Sequence, residues 1–302
     1  MPDTTPYSLK DTLVKIRDSL FNRLTGVEQD LVLNPLPSQP VPPQSSGLAA
    51  EIKMAIDEFK TSAVDQSGFK VDYAGLRDTQ AYAEYQRSCT PRLRKFDPAS
   101  LRTPEESLAF WINLYNALVI DGIISYNVQE SVTEGRLGIV KFFRRVAYQV
   151  GGQRISLDDI EHGVLRGNKG HPFLPGSHFP SDDPRLDWVV EKPDARIHFA
   201  LNCASRSCPP IRTYNAADIN QQLEMASRNF VDTNLTIDYD RLQLTTSEIF
   251  HWFQADFGGK VGVLDFLQEH LLQDERQTWL ETNLRNVKIQ YEPYDWGLNM
   301  LS

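Results

Sequence analysis

The order of elements legible in this 302-residue chain predicts an α+β fold: a helical N-terminal region, then a domain whose mainly antiparallel sheet packs on a buried central helix. Three observations carry that prediction. Residues 107–120, Ser-Leu-Ala-Phe-Trp-Ile-Asn-Leu-Tyr-Asn-Ala-Leu-Val-Ile, are apolar almost all round, as in a helix enclosed on every side. Two stretches alternate with period two about a turn, at Gly151-Gly152 and near Asp240, and read as hairpins. The first 98 residues show helical periodicity and a proline-rich interruption.

Taken in order, Leu9, Leu13, Ile16, Leu20 and Leu24 recur at steps of three and four, the stripe of an amphipathic helix that needs a partner surface. From Asn34 to Gly47 prolines forbid a helix, so this stretch reads as an extended linker or clamp. Helical patterns resume at about 48–64 and 73–94, which places a boundary near residue 98, with 1–98 as the helical region and 99–302 as the α+β domain. Thr103-Pro104-Glu105-Glu106 is a strong helix start, a capping threonine followed by proline and two acids. Asn113 and Asn116 lie on one face of the helix that follows; a buried amide without partners costs about 1–3 kcal/mol, so both must bond to backbone or line a site. Arg144–Leu157 reads as the first hairpin and Ser156–Arg166 as a capped helical turn ended by Gly167. Residues 167–193 read as a long covering loop with His171 and His178 exposed. Helices are expected at 216–230, 247–257 and 261–272, a second hairpin at 235–246, and a final strand from Val287 into an aromatic tail.

Composition narrows the function. A formal charge of −9 and a pI near 5.2 argue against a general nucleic-acid binder, and Lys141–Arg145 is too short a basic patch to reverse that. No run of about 18 apolar residues implies a membrane span. The opening Met-Pro-Asp-Thr-Thr-Pro lacks the basic and apolar regions of a signal peptide. Three cysteines, one left over from any pairing, do not read as a disulfide framework, so a reducing cytoplasm is the expected home and no cofactor is implied.

Chemistry concentrates between Arg196 and Tyr214. Ile197, Phe199 and Leu201 alternate with His198, Ala200 and Asn202 as in a half-buried strand that must stop by Pro209-Pro210. Between them, the loop Cys203-Ala-Ser-Arg-Ser-Cys208 sits at a strand end, where loops often carry function. The plainer reading is that both cysteines are small buried hydrophobes. Cys89, among arginines and without a neighbouring histidine, reads as structural.

Four blocks, Ala109–Ala117, Leu157–Arg166, His198–Pro209 and Tyr294–Asn299, closely resemble in order the signature blocks of the domain-of-unknown-function 547 family, over about residues 100–299. That family looks related to the papain-like and transglutaminase-like cysteine peptidases, so the resemblance implies such a fold and a thiol hydrolase or acyl-transfer activity. The chain departs from the papain-like order in that Glu161 and His162 precede Cys203.

A cysteine nucleophile needs a base within hydrogen-bond reach and a group to orient that base. Cys203 is the expected nucleophile and His162 the first choice of base. The rival set is Cys203, His198 and Glu161, since Glu161 points about 100° away from His162 on a helix and reaches His198 more easily across the fold. Against it, an extended strand holds His198 roughly 16 Å from Cys203. Backbone amides of Ala204 and Ser205, or Asn113 or Asn202, are the candidate oxyanion donors. Asn116, Ser207 and Cys208 support the site, and Arg206, Arg212 and Arg166 are weak candidates for a substrate carboxylate. The expected substrate is a peptide or protein. Two other classes use the same residues: a zinc hydrolase held by His162, His198, Cys203 and Cys208, and a non-enzymatic binding module recruiting a protein partner through the first helix.

Overall fold

The computed structural model describes residues 9–34, 36, 47–134 and 138–301. Its centre is a 23-residue helix. In chain order come α1 (Leu9–Thr25), α2 (Leu48–Ala63), α3 (Tyr73–Arg77) and α4 (Gln80–Glu84), which continues through a π-helical turn at Tyr85–Cys89 into α5 (Thr90–Leu93), and then α6 (Pro104–Tyr126). The capping signal is realised at the start of α6: the Thr103 hydroxyl accepts the Glu106 N–H at 3.1 Å, and the Glu106 carboxylate accepts the Arg102 N–H at 2.7 Å. Asn127, left-handed at φ 52°, ends it. Every residue from Ala109 to Ile124 is buried. Each fully buried Leu or Ile there contributes about 1.5–3 kcal/mol relative to exposure, which makes α6 the main anchor of the core. It is the one helix among the described residues long and apolar enough to cross a membrane, and 89% of its most apolar window is enclosed by the rest of the chain.

Around α6 the helices of residues 48–96 bury Ile52, Ile56, Phe59, Leu76 and Tyr85 in the same core, so residue 98 divides no core. After α6, α7 (Gly138–Arg145) leads into the hairpin β1 (Ala147–Val150) and β2 (Gln153–Ser156), paired Ala147↔Ser156 to Val150↔Gln153. Gly151 and Gly152 make its turn at positive φ of 53° and 81°. A second apolar cluster is built from α8 (Ile219–Asn234), β3 (Thr236–Asp238), β4 (Gln243–Ser247), α9 (Ile249–Trp252), α10 (Gly259–His270), α11 (Glu275–Asn283) and β5 (Lys288–Glu292). The expected single, mainly antiparallel sheet is corrected to two small ones: the β1–β2 pair, and a mixed sheet in which β3 is antiparallel to β4 and β5 runs parallel to it. The helices between β4 and β5 form the crossover that a parallel partner requires.

Two further expectations change. Residues 195–199 form a 3₁₀ turn rather than a strand, because the Asp194 side chain caps the Arg196 N–H at 2.9 Å and starts a helical turn. The apolar stripe of α1 does not pack inward: Leu9, Leu13, Ile16, Leu20 and Leu24 are 53–76% exposed, and the opposite face meets the body. That polar face is bolted down. Arg17 donates to the carbonyls of Pro175, Ser177 and His178, Asp11 accepts from the Ser181 amide and hydroxyl, and Arg144 reaches Asp18 and Asn22. The proline-rich stretch lies mostly outside the described residues, as does the opening hexapeptide; the first residue of the stretch, Asn34, is buried and donates to the Thr90 and Gln149 carbonyls at 3.0 and 2.9 Å.

Candidate functional site

The 3₁₀ turn changes the distances the sequence implied. With Ala195–Phe199 wound up, His198 and Cys203 line one cavity of about 310 Å³, together with Asp158, Glu161, His162 and Cys208. Tyr115, Trp252, Phe253, Tyr294 and Trp296 give it aromatic walls.

One wall is the π-helical segment Asp159–Leu165, which the sequence reads as an ordinary helical turn; its bonds run five residues back, as from the Arg166 amide to the Glu161 carbonyl at 3.0 Å. Glu161 accepts from the Tyr115 hydroxyl at 3.1 Å, and burial raises its pKa to about 7. Asp158 is likewise raised by burial, to about 8. His162 does not hydrogen-bond to Glu161, whose carboxylate is 3.9 Å from Nδ1. Instead Arg166 Nη1 lies 3.1 Å from Nδ1. A guanidinium can only donate, so Nδ1 is the acceptor and the proton sits on Nε2. Burial, with His171 and Arg166 close by, holds His162 neutral by lowering its pKa well below the usual value.

The other wall holds His198. Its Nε2 lies 3.0 Å from Asp256 Oδ2, and its ring stacks on Phe253 with centroids 3.8 Å apart. Burial opposes ionisation of Asp256, yet the hydrogen bonds from His198 and Arg166 prevail and hold its carboxyl well below the usual range. The ionised Asp256 must accept, so His198 carries its proton on Nε2 and its lone pair on Nδ1; burial lowers its pKa to about 4. Glu161 thus bonds Tyr115, and the carboxylate facing His198 is that of Asp256. Arg166, expected near a substrate carboxylate, is buried and links the two walls, bonding His162 on one side and Asp256 at 2.5 Å on the other.

Between the walls lies the cysteine loop, clamped from α6. The Asn116 side chain donates to the Ala200 carbonyl at 3.0 Å and accepts the Asn202 N–H at 2.9 Å; Asn113 makes the same pair of bonds with Tyr214. Asn202 donates to the Pro209 carbonyl at 2.6 Å and accepts the Ala204 N–H at 2.8 Å. These bonds commit the Ala204 amide to the loop and make both helix asparagines backbone clamps, and, correcting their assignment as oxyanion donors, neither Asn113 nor Asn202 lines the cavity where such a donor is needed. Ala204, fully buried, is held at φ +66°, a left-handed conformation that costs about 1–3 kcal/mol in a residue with a side chain. Asn299 in the C-terminal tail adds its amide to the Ala204 carbonyl at 3.0 Å.

Cys203 and Cys208 are joined as a disulfide and Cys89 is the free cysteine, which corrects the expectation of unpaired thiols. Burial pushes the Cys89 thiol up to about 11. Tyr294, whose block was recognised without a role for its tyrosine, sets its hydroxyl 3.2 Å from Cys203 Sγ and 3.1 Å from Cys208 Sγ while accepting from Ser205 Oγ at 2.9 Å. Burial raises the Tyr294 pKa, so it stays a donor. The remaining expected residues fall outside the cavity: Ser207 accepts the Asp295 amide at 2.9 Å, Arg206 is exposed and pairs with Asp295 at 3.4 Å, and Arg212 does not line it. His171 lies on the cavity, and His178, expected exposed, is buried and paired with Asp159 at 2.8 Å. Among the described residues no three His, Cys, Asp or Glu side chains converge as metal ligands.

Fold and site define an α+β protein with a sulfur pair, an oriented histidine and a buried carboxylate around one aromatic cavity. Residues 98–231 match the family described as "Protein of unknown function, DUF547". That stretch carries three of the four recognised blocks and ends before Asp256 and Tyr294. No curated protein and no solved structure matches the chain.

Proposed function

We propose that the cavity is the active site of a thiol hydrolase acting on a peptide or amide bond through Cys203, in the form in which the bond to Cys208 is reduced. The observation that carries this reading is the His198–Asp256 pair on the cavity that also holds Cys203, an imidazole whose proton is fixed on Nε2 and whose Nδ1 lone pair is left to take another. His198 Nδ1 takes the Cys203 proton; the thiolate attacks the carbonyl carbon; the protonated His198 returns the proton to the departing amine. Water then adds to the thioester, giving the carboxylic acid and restoring the thiol. Tyr294, beside Cys203 Sγ, supplies an O–H to the developing oxyanion. Of the two histidines the base is therefore His198, because the His162 lone pair is taken by Arg166.

A second reading is favoured by the sulfur pairing itself. A disulfide that opens onto a cavity, in a chain suited to a reducing compartment, fits thiol–disulfide exchange: a substrate dithiol reduces the Cys203–Cys208 bond through a mixed disulfide and leaves as a disulfide. Cys208→Ser separates the two. A hydrolase keeps turnover of a peptide–aminocoumarin library and no longer needs a reductant. An exchange enzyme instead traps a mixed disulfide, its Cys203 thiolate attacking a small-molecule disulfide and releasing one thiol, seen as a mass increment. Hydrolysis by reduced Cys203→Ala at the wild-type rate would overturn the first reading.

A further inference from the structure

The orientation of α1 is the reverse of what an amphipathic helix adopts on a protein body. Asp11 and Asp18 on its polar face, and Arg17 at the edge of the stripe, are fastened to the chain, and Leu9, Leu13, Ile16, Leu20 and Leu24 point to solvent. At 100° per residue these five side chains cover about an 80° sector, and the buried Val14 and Thr25 lie roughly 120–140° round the helix from its centre. Charge is sorted in the same way. Both acids of the helix face the body, where Asp11 accepts from Ser181 and Asp18 from Arg144. Lys10 and Arg23 are exposed and flank the stripe on its two sides. A chain of formal charge −9 thus presents at this helix an apolar ridge with basic borders.

We propose that α1 docks the protein on an anionic lipid surface, with the leucine and isoleucine ridge at the headgroup–acyl boundary and the flanking cations among acidic headgroups. A convex apolar ridge suits a bilayer, which yields around it to a depth of about 5–10 Å. The basic borders match the charge of an anionic lipid surface. The site is coupled to this surface through Arg17, which holds the carbonyls of Pro175, Ser177 and His178 in the loop that also carries the cavity residues His171 and Phe173. Docking therefore orients the cavity mouth relative to the membrane.

The test is co-sedimentation of the full chain with vesicles of phosphatidylcholine alone and of phosphatidylcholine with phosphatidylserine at about 7:3. Binding is expected to the mixed vesicles, at least about tenfold stronger than to the neutral ones. Leu13→Ser with Leu20→Ser, both at exposed positions, should remove at least about a tenfold factor with an unchanged circular dichroism melt. Lys10→Glu with Arg23→Glu should weaken binding by about fivefold or more per residue. Equal sedimentation with both vesicle types, or binding that both double variants retain, would overturn the proposal. So would a concentration-dependent dimer dissolved by Leu13→Ser with Leu20→Ser, which would make a second copy the occupant.

Discussion

The two histidine-bearing walls of the cavity are built from similar parts and end in opposite chemistry. Each presents a buried imidazole from a short irregular helix, His162 from a π-helical turn and His198 from a 3₁₀ turn, and Arg166 touches the network of both. Their difference lies in the atom facing the ring. An arginine donates to His162 and occupies the lone pair a base needs; a carboxylate accepts from His198 and leaves the lone pair in place. Burial alone depresses both imidazoles, so exposure does not distinguish them; the second partner does.

The largest expected effect comes from breaking that asymmetry at Asp256. Asp256→Asn removes the charge that faces Arg166 and His198, and leaving a buried guanidinium unpaired should cost about 3–5 kcal/mol in urea unfolding. In the hydrolase reading it also releases the His198 tautomer, and peptide turnover should fall by about a thousandfold or more, while His162→Gln lowers it less than tenfold. The comparison is made on reduced protein that remains folded. If His162→Gln were the more damaging change, the two walls would have to exchange roles.

How far these walls can be read from sequence depends on the range of the interactions. The capped start of α6, its all-round burial and the hairpin at Gly151-Gly152 follow from local pattern, and the two asparagines on α6 advertised their need for partners. Glu161, His162, His198 and Cys203 are legible as candidates, but the strand reading holds His198 away from Cys203. What local pattern hid was the conformation of 195–199, where apolar alternation mimics a strand and only Asp194 betrays a cap. Asp256 sits 58 residues from His198 in the aromatic-rich turn between α9 and α10, with no motif of its own, and Tyr294 reaches the sulfurs across 91 residues. The outward stripe of α1 was legible as a stripe, but its direction is set by polar contacts with residues 144 and 175–181, which periodicity cannot show.

A smaller effect sharpens the contrast on the Glu161 side. Its pKa is about 7 in the fold against 4.5 as an ordinary glutamate. Below 4.5 both folded and unfolded chains hold the proton. Between 4.5 and about 7 only the folded chain does, so this group's contribution to stability falls as pH rises and levels off above 7. His198, lowered to about 4, acts in the opposite sense, its contribution being lost as pH falls from 6.5 through 4. Glu161→Gln keeps an acceptor for the Tyr115 hydroxyl and deletes the titration. Relative to wild type it should therefore gain up to about 3 kcal/mol between pH 5 and pH 8 in urea unfolding. A constant difference across that range would mean that Glu161 is ionised throughout and that this wall is not the apolar one the geometry describes.

The smallest expected effect lies between the walls, at Ala204. Its left-handed φ of +66° is unfavourable for alanine by about 1–3 kcal/mol and free for glycine, whereas its fully buried methyl is worth about 0.8 kcal/mol. Ala204→Gly removes the strain and the methyl together, and also loosens the unfolded chain, so stability should stay within about 1 kcal/mol of wild type. Function should respond more than stability. The strain is held in place by Asn202, the Asn299 amide and the clamp from Asn116, and together these fix the direction in which Cys203 leaves the backbone. If that direction matters, reduced Ala204→Gly should react with iodoacetamide at Cys203 several-fold more slowly than wild type while melting at nearly the same temperature. Equal rates would show that the rest of the loop positions the sulfur and that the backbone at 204 merely follows.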